Sequence, residues 1–158
     1  FRPYQPVTSA STVGSEQKGG VMADSAGLDV LAEHECYQLL AKAPIGRIVF
    51  TDRALPAIQP VVFVLHENKV IIRTTARSRL AIAATNTVVA FEVDEFTDDR
   101  VRSGWSVVAV GHANPITDTA DLAAARRLGL QPWACPTMDH YLQIAIEIIS
   151  GRRLPAPS

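Results

Sequence analysis

The amino-acid sequence predicts one mainly β domain of the α+β class. Five stretches rich in Val and Ile either alternate apolar with polar residues or are wholly apolar over a short run, which is typical of strands. Only three segments have the apolar spacing of a short helix. A chain of 158 residues is also long enough for one domain with a buried core.

The N-terminal part of the chain is predicted to be a disordered tail. Residues 1–27 are rich in Pro, Ser, Thr, Gly and Gln and have no sustained periodicity, so they offer little apolar surface to bury. The folded domain is therefore predicted to span residues 28–158. Its first helix is expected over residues 33–40, where the apolar side chains share one helical face.

The middle of the chain is predicted to form most of the sheet. Strands are predicted over residues 45–51, 57–65, 69–75, 88–93 and 106–114. The polar loop 66–69 is short enough for a hairpin, so the strands on either side of it should be antiparallel neighbours. Because proline cannot donate to a sheet, Pro56 and Pro60 confine the start of the second strand to an edge or a bulge, where a ligand can reach the backbone.

Three further elements complete the predicted domain. Short helices are expected over residues 78–84 and 119–128, and Gly129 is the expected stop of the second. Residues 139–149 are apolar enough for either a helix or a strand. Their isoleucines alternate along the chain, which favours a strand.

The segment 73–79 is the strongest candidate for a binding site. It places hydroxyl side chains and three guanidinium groups between two apolar runs, at the predicted junction of a strand and a helix. Arginine recognises phosphate with a planar, bidentate fork, and free N–H groups at a helix start favour an anion. We therefore predict a phosphate at Ser78 and Arg79. The alternative is that the arginines are solvated charges on a turn and the threonines ordinary strand residues.

Composition excludes several classes of function. The net charge of −1 gives no global basic field for nucleic acid or an anionic membrane, and the apolar runs are much shorter than the roughly 20 residues that cross a bilayer. The chain starts without a signal-peptide pattern and has only two cysteines, Cys36 and Cys135, which predicts a reducing, cytoplasmic setting. The histidines suggest no catalytic triad, and the acidic run 94–99 lacks the pattern of a calcium loop, so no catalytic residue and no metal site is predicted.

Several segments together resemble a known family. They are Glu35-Cys36 with Leu39-Leu40, Ile45-Gly46-Arg47, Pro60-Val61, Arg73-Thr74 with Ser78-Arg79-Leu80, Ala90 to Asp94, Gly104 to Val107 with Val110-Gly111, and Ile149 to Arg153. In this order they resemble the flavin-binding split-barrel family related to pyridoxamine 5′-phosphate oxidase, over about residues 31–154. The resemblance implies a six-stranded antiparallel split β-barrel with flanking short helices, which forms a homodimer and binds FMN at the dimer interface.

The resemblance also implies which residues bind the cofactor. Thr74, Ser78 and Arg79 match the positions that hold the FMN phosphate, and Arg73 begins the same segment. Six further positions are expected to reach the flavin or to line the pocket wall: Arg47, Pro60, Val61, Trp105, Ser106 and Trp133. Arg152 lies near the place where the vitamin oxidases keep a substrate-binding arginine, and it is the last expected ligand of the site. Ser106 is expected to bond the polar edge of the ring.

The C-terminal part of the chain departs from the vitamin oxidases. It lacks their additional Arg and His residues for a phosphorylated pyridine, so oxidation of pyridoxamine phosphate is not expected. The resemblance implies instead an FMN-dependent oxidoreductase that acts on a small-molecule redox substrate, with hydride transfer performed by the flavin. Two alternatives remain open: a reductase that uses the deazaflavin F420, whose anionic tail Arg47, Arg77 and Arg79 could bind, and a flavin carrier that binds without turnover.

Overall fold

A computed structural model of the protein describes residues 22–97, 103–132 and 138–155. The described strands are β1 (Asp29–Val30), β2 (Ile45–Asp52), β3 (Leu55–His66), β4 (Lys69–Thr74), β5 (Thr87–Phe96), β6 (Gly104–Pro115) and β7 (His140–Arg153). The described helices are α1 (Glu33–Lys42), α2 (Arg79–Ala84) and α3 (Thr119–Arg127).

The long strands pair with one another in an unevenly closed ring. The antiparallel order is β7-β4-β3-β2-β5-β6, and β6 pairs with β7 to complete the circuit. Ladder lengths differ greatly, because β5 and β6 share ten residue pairs whereas β2 and β5 share three and β3 and β4 share four. The fold is mainly β with few helices, as the sequence predicts, and it is consistent with a split barrel.

The described part of the chain has seven strands and not the expected six. In the described part of the chain a seventh strand, β1, pairs with the end of β7 outside the ring. A strand of two residues is too short to show any apolar pattern, so it could not be predicted from the sequence. β7 is a strand, as its alternating isoleucines predict, and it continues to Arg153 because β6 pairs with it along that length.

Local signals place the turns and the helix ends. Residues Glu67 and Asn68 adopt positive φ angles of 49° and 59°, which make the predicted tight hairpin between β3 and β4. The Asp118 carboxylate caps α3 by accepting hydrogen bonds from the N–H groups of Ala120 and Asp121, and Gly129 follows the helix with a φ of 71°.

Two hydrophobic clusters hold the fold together. The first fills the ring and includes Phe91, whose ring meets Phe63 edge-on with centroids 4.7 Å apart. Helix α1 closes this core with Leu40 and with Cys36, a free thiol whose pKa is raised chiefly by burial. The second cluster lies outside the ring, where α3 and the residues beside it cover β4 and the start of β7. The outer surface of β2, β5, β6 and the second half of β7 is largely uncovered, and we call it the open face.

Residues 22–27, which the sequence places in the tail, lie against the folded domain. The Asp24 carboxylate accepts hydrogen bonds from the N–H groups of Ala26 and Leu28 and from Arg152. These bonds lower the pKa of Asp24, with the largest effect from the N–H of Leu28. Residues 22–27 of the predicted tail 1–27 are therefore bonded to the folded domain, and the rest of that predicted tail, residues 1–21, lies outside the described part.

Candidate functional site

A cleft opens where β3 and β4 separate. β3 pairs with β4 only as far as Phe63 and Ile72, after which β4 continues along β7. The edge of β3 before Phe63 therefore faces a gap instead of a strand. The resulting cleft has a volume of about 260 Å³ and is lined by Gln59, Pro60, Val61, Val62, Arg73, Thr74, Gln131 and Met138.

The prolines of β3 lie at this edge, as their sequence positions predict. Pro56 and Pro60 oppose Thr51 and Arg47 of β2, and no strand pairs with the other side of residues 55–62 in the described part of the chain. Proline has no N–H to donate to a neighbouring strand. A free edge tolerates proline because no ladder hydrogen bond is needed on that side. The free edge leaves backbone groups next to Val62 accessible to a ligand in the cleft.

One of the predicted hydroxyl residues, Thr74, lines the cleft, and Ser78 and Arg79 lie beyond it along the chain. Thr74 is buried, and its hydroxyl donates to the Ser78 oxygen at 2.9 Å. The same Ser78 oxygen accepts a hydrogen bond of 3.0 Å from the N–H of Ala81 and caps α2. Because Ser78 accepts in both bonds, its own hydroxyl proton remains available to an oxygen of a ligand.

Arg79 is paired with a carboxylate that the sequence did not indicate. Its Nε donates to the Asp52 carboxylate at 2.8 Å, and its second terminal nitrogen bonds the same oxygen. The Arg79 side chain is 77% exposed and that of Asp52 only 19%. Asp52 therefore fixes the direction of the guanidinium while most of the group still faces solvent.

Arg73 serves mainly to hold the far wall of the cleft. Its Nε donates to the carbonyl of Met138 at 2.5 Å, and a terminal nitrogen donates to the carbonyl of Leu130 at 2.9 Å. Its guanidinium carbon also lies 5.7 Å from the ring centre of Tyr141. The wall beside these carbonyls includes Gln131 and Met138, so Arg73 positions two lining residues.

A third group of predicted residues lies on the open face. Arg47 donates to Glu92 at 3.1 Å and to Asp94 at 3.2 Å. Ser106 lies opposite Asp94 on one side and Arg152 on the other. These residues form a polar strip that starts next to Pro60 and crosses the strands. Within it the pKa of Glu92 is raised, chiefly by burial and then by the charge of Asp94.

Of the two tryptophans expected in the pocket wall, only Trp105 lies in the described part of the chain. Trp105 packs against the core of the ring, whereas its neighbour Ser106 belongs to the opposite side of β6. Trp105 therefore does not line the cleft between β3 and β4. Trp133, the other expected wall residue, lies outside the described part of the chain.

The remaining cleft residues carried no sequence signal. Gln59, Gln131 and Met138 come from distant positions, and an isolated amide or thioether has no distinctive spacing. Across the described ranges, no three His, Cys, Asp or Glu side chains are placed to hold a metal ion. The described helices are also all too short or too polar to span a membrane.

Comparison with known proteins identifies relatives of this chain. A family model described as pyridoxamine 5′-phosphate oxidase matches residues 32–153. An uncharacterized protein of Mycobacterium tuberculosis is 40% identical over 133 residues, which are 81% of this chain and 86% of that protein. A Mycobacterium smegmatis structure described as an FAD binding protein is 37% identical with a TM-score of 0.71, covering 81% of this chain and 99% of that one.

A structure of a putative pyridoxamine 5′-phosphate oxidase from Corynebacterium glutamicum is 28% identical, with a TM-score of 0.69 and coverage of 83% of this chain and 96% of the other. The strand ring and its split edge are consistent with the split-barrel class of proteins. The family match over most of the chain makes the assignment specific: the chain belongs to the pyridoxamine 5′-phosphate oxidase family.

Proposed function

We propose that this protein is an FMN-dependent oxidoreductase that holds the FMN unit, free or as half of FAD, in the cleft between β3 and β4. The observation that carries the proposal is the cleft itself, which combines apolar walls at Val61, Val62 and Met138 with amides at Gln59 and Gln131. A flavin ring is flat and apolar on its faces and polar along one edge, so this set of residues fits it.

The chain's own residues would supply position and electrostatics. The Ser78 hydroxyl and the Arg79 guanidinium would bind the phosphate, because both retain donors in the present arrangement. The free edge of β3 near Pro60 would lie along the ring. When bound, the flavin supplies the hydride chemistry, so the protein needs no dedicated acid or base for that step.

The cofactor alternatives differ in their support. The Mycobacterium smegmatis relative is described as binding FAD, so FAD is a candidate cofactor of this protein as well. F420 has an acidic tail that needs unpaired cations, whereas Arg47 is already shared between Glu92 and Asp94. Pure binding without turnover would use the same cleft. Reduction by NADH or NADPH with an added acceptor separates the enzyme from the carrier.

Replacing Arg79 with alanine is expected to weaken FMN binding about tenfold or more, because a hydrogen bond to a charged group contributes roughly 1.5–3 kcal/mol. Flavin absorbance and fluorescence quenching in a titration measure the affinity. Arg126→Ala, on the exposed side of α3, is the matched control and should bind as the wild type does. A wild-type protein that changes neither signal at saturating FMN would rule out the proposed function.

We also propose that the protein works as a homodimer through the open face. An apolar row crosses the four strands of the open face, where Val49 opposes Ala90, Ala90 opposes Val110 and Val110 opposes Ile148. The row extends onto β3, where Ile58 opposes Val49. Ile58 and Ile148 are 66% and 64% exposed.

Polar residues of both charge signs flank this row, with Arg47 and Glu92 on one side and His112 and Glu147 on the other. The same surface of a second copy of the chain can therefore contact both the apolar row and the charged residues that flank it. A reducing, cytoplasmic location remains part of the proposal and agrees with the free, buried thiol of Cys36.

Replacing Ile148 with glutamate is expected to convert the dimer to a monomer, because the new charge would be buried in an apolar contact. Light scattering after size-exclusion chromatography gives the mass directly. Ile82→Glu is the matched control, since Ile82 is 70% exposed but belongs to α2 and not to the open face. A wild-type monomer, or an Ile148→Glu dimer, would contradict the proposed interface.

A further inference from the structure

We propose that a cavity beside helix α3 binds a small α-amino acid with an aliphatic side chain. The cavity lies between α3, the hairpin that joins β3 to β4, and the outer surface of β4 and β7, and it has a volume of about 180 Å³. Pockets for drug-sized ligands usually measure about 300–1,000 Å³, so this cavity suits a smaller molecule. The residues that line it differ from those that line the cleft, so the proposal goes beyond the flavin function and does not depend on it.

One side of α3 and its C-terminal cap form a wall of the cavity. The lining residues of this wall are Asp121, Ala124, Ala125 and Leu128, and their spacing of three and four residues places them on the same side of the helix. Two of the four are alanines, whose short side chains leave the space that longer side chains would fill. The wall is therefore apolar along most of its length and carries a carboxylate near the start of the helix.

The floor of the cavity is apolar. Ile71 of β4 and Ile116, which follows β6, are only 3% and 7% exposed, and both belong to the hydrophobic cluster that α3 covers. The side chain of a ligand that reaches this floor buries apolar surface, which favours binding. A branched aliphatic group fits such a floor better than a polar group does.

Two side chains of opposite charge line the cavity from different elements. Lys69 begins β4, and Asp121 lies in the first turn of α3. Within the described residues, neither side chain forms an ion pair. Asp121 is also not needed to cap α3, because the Asp118 carboxylate already accepts the N–H groups of Ala120 and Asp121. An ammonium and a carboxylate are thus available to a ligand.

The other polar groups of the cavity add little net charge. Glu67 is 77% exposed on the rim, 4.0 Å from His66, so water screens most of its charge. Gln143 adds an uncharged amide that can both donate and accept a hydrogen bond. A zwitterion therefore matches the cavity, with its carboxylate at Lys69 and its ammonium at Asp121. A ligand with a single charge would leave one of these two side chains unpaired.

Three small ligands that differ by one charged group test this proposal. L-Valine carries both groups, isobutylamine lacks the carboxylate, and 3-methylbutanoate lacks the ammonium. Saturation-transfer NMR and calorimetry on the full chain measure their binding. We expect L-valine to bind at about millimolar concentration and about tenfold or more tightly than either analogue, because each analogue loses one charge-assisted contact.

Variants of the chain test whether the ligand occupies this cavity. Lys69→Met and Asp121→Asn should each weaken L-valine binding about tenfold or more, and Lys69→Met should bind L-valine and isobutylamine equally. Ala124→Leu should abolish binding, because the longer side chain fills the cavity. Ala123→Leu lies on the same helix but outside the lining, so it is the matched control and should bind as the wild type does. Urea unfolding shows that each variant is folded.

Several results would overturn the proposal. They are a wild-type protein that does not bind L-valine, and equal binding of L-valine and both analogues. Unchanged affinity in Ala124→Leu would place the ligand elsewhere on the molecule. Tighter binding of isobutylamine than of L-valine would make the cavity a site for simple amines and would also contradict the assignment. None of these results changes the expected flavin titrations, so this proposal and the proposed function can fail separately.

Discussion

Replacing Gly111 with alanine is expected to cost about 3 kcal/mol or more of the free energy of unfolding, because there is no room for a β-carbon. A Cβ at this position would lie 1.8 Å from the carbonyl oxygen of Ala145 and 2.7 Å from its carbon. Gly111 also follows the register shift between β6 and β7, where the backbones approach closely. A backbone obstacle cannot move away by a change of rotamer, so the strand ring itself must shift.

Urea unfolding measures this loss. The free energy of unfolding of a globular domain is only about 5–15 kcal/mol. A loss of about 3 kcal/mol therefore lowers both the urea concentration at the unfolding midpoint and the yield of folded protein. Val110→Ala is the matched control, because Val110 is the preceding residue but lies on the open face. Its cost should be about 1 kcal/mol or less. A Gly111→Ala protein with wild-type stability would show that β6 and β7 are not joined as described.

Replacing Arg73 with methionine is expected to cost about 3 kcal/mol and to weaken flavin binding more than tenfold. The substitution keeps a long apolar stem but removes both hydrogen bonds to the carbonyls of Leu130 and Met138. The wall that includes Gln131 then loses its support, so the cleft changes shape together with the stability of the domain. Urea unfolding and a flavin titration on the same variant measure the two effects.

The conservative variant and a surface control sharpen this test. Arg73→Lys keeps the charge but cannot present two donors in a planar fork, so it should restore only part of the loss. Arg127→Met, at the exposed end of α3, should alter neither quantity. If Arg73→Met kept wild-type stability and lost only flavin affinity, Arg73 would be a direct ligand, as the family resemblance implied, and not a support for the wall.

Local patterns were sufficient to predict most of the sheet. The alternation of apolar residues found the strands that became β2 to β6, and the isoleucines of β7 separated a strand from a helix. The hairpin at residues 67 and 68 followed from its length and polarity. The two-residue β1 could not be predicted, because its only stabilising partner is the far end of β7.

The candidate site was predictable only where it is local in sequence. Thr74 and Ser78 are four residues apart and meet as expected, whereas Arg73 bonds carbonyls 57 and 65 residues away. The pairing of Asp52 with Arg79 depends on how α2 packs beside β2. Such contacts need the strand order, which no local pattern contains.

The placement of Trp105 and Ser106 on opposite faces of β6 was available from the sequence. In β6 the inward residues are Val107 and Ala109, so period-two alternation already places Trp105 on the inner face and Ser106 on the outer face. The resemblance had assigned both residues to the cofactor. The structure places them on opposite faces of one strand, and only Ser106 belongs to the polar strip with Arg47 and Arg152.

A crystal structure of the protein grown with FMN shows directly whether the flavin occupies the cleft between β3 and β4. We expect flavin density along Pro60 and Val62, with the phosphate within hydrogen-bond distance of Ser78 and Arg79. An empty cleft at saturating FMN, or a flavin bound elsewhere on the molecule, would contradict it.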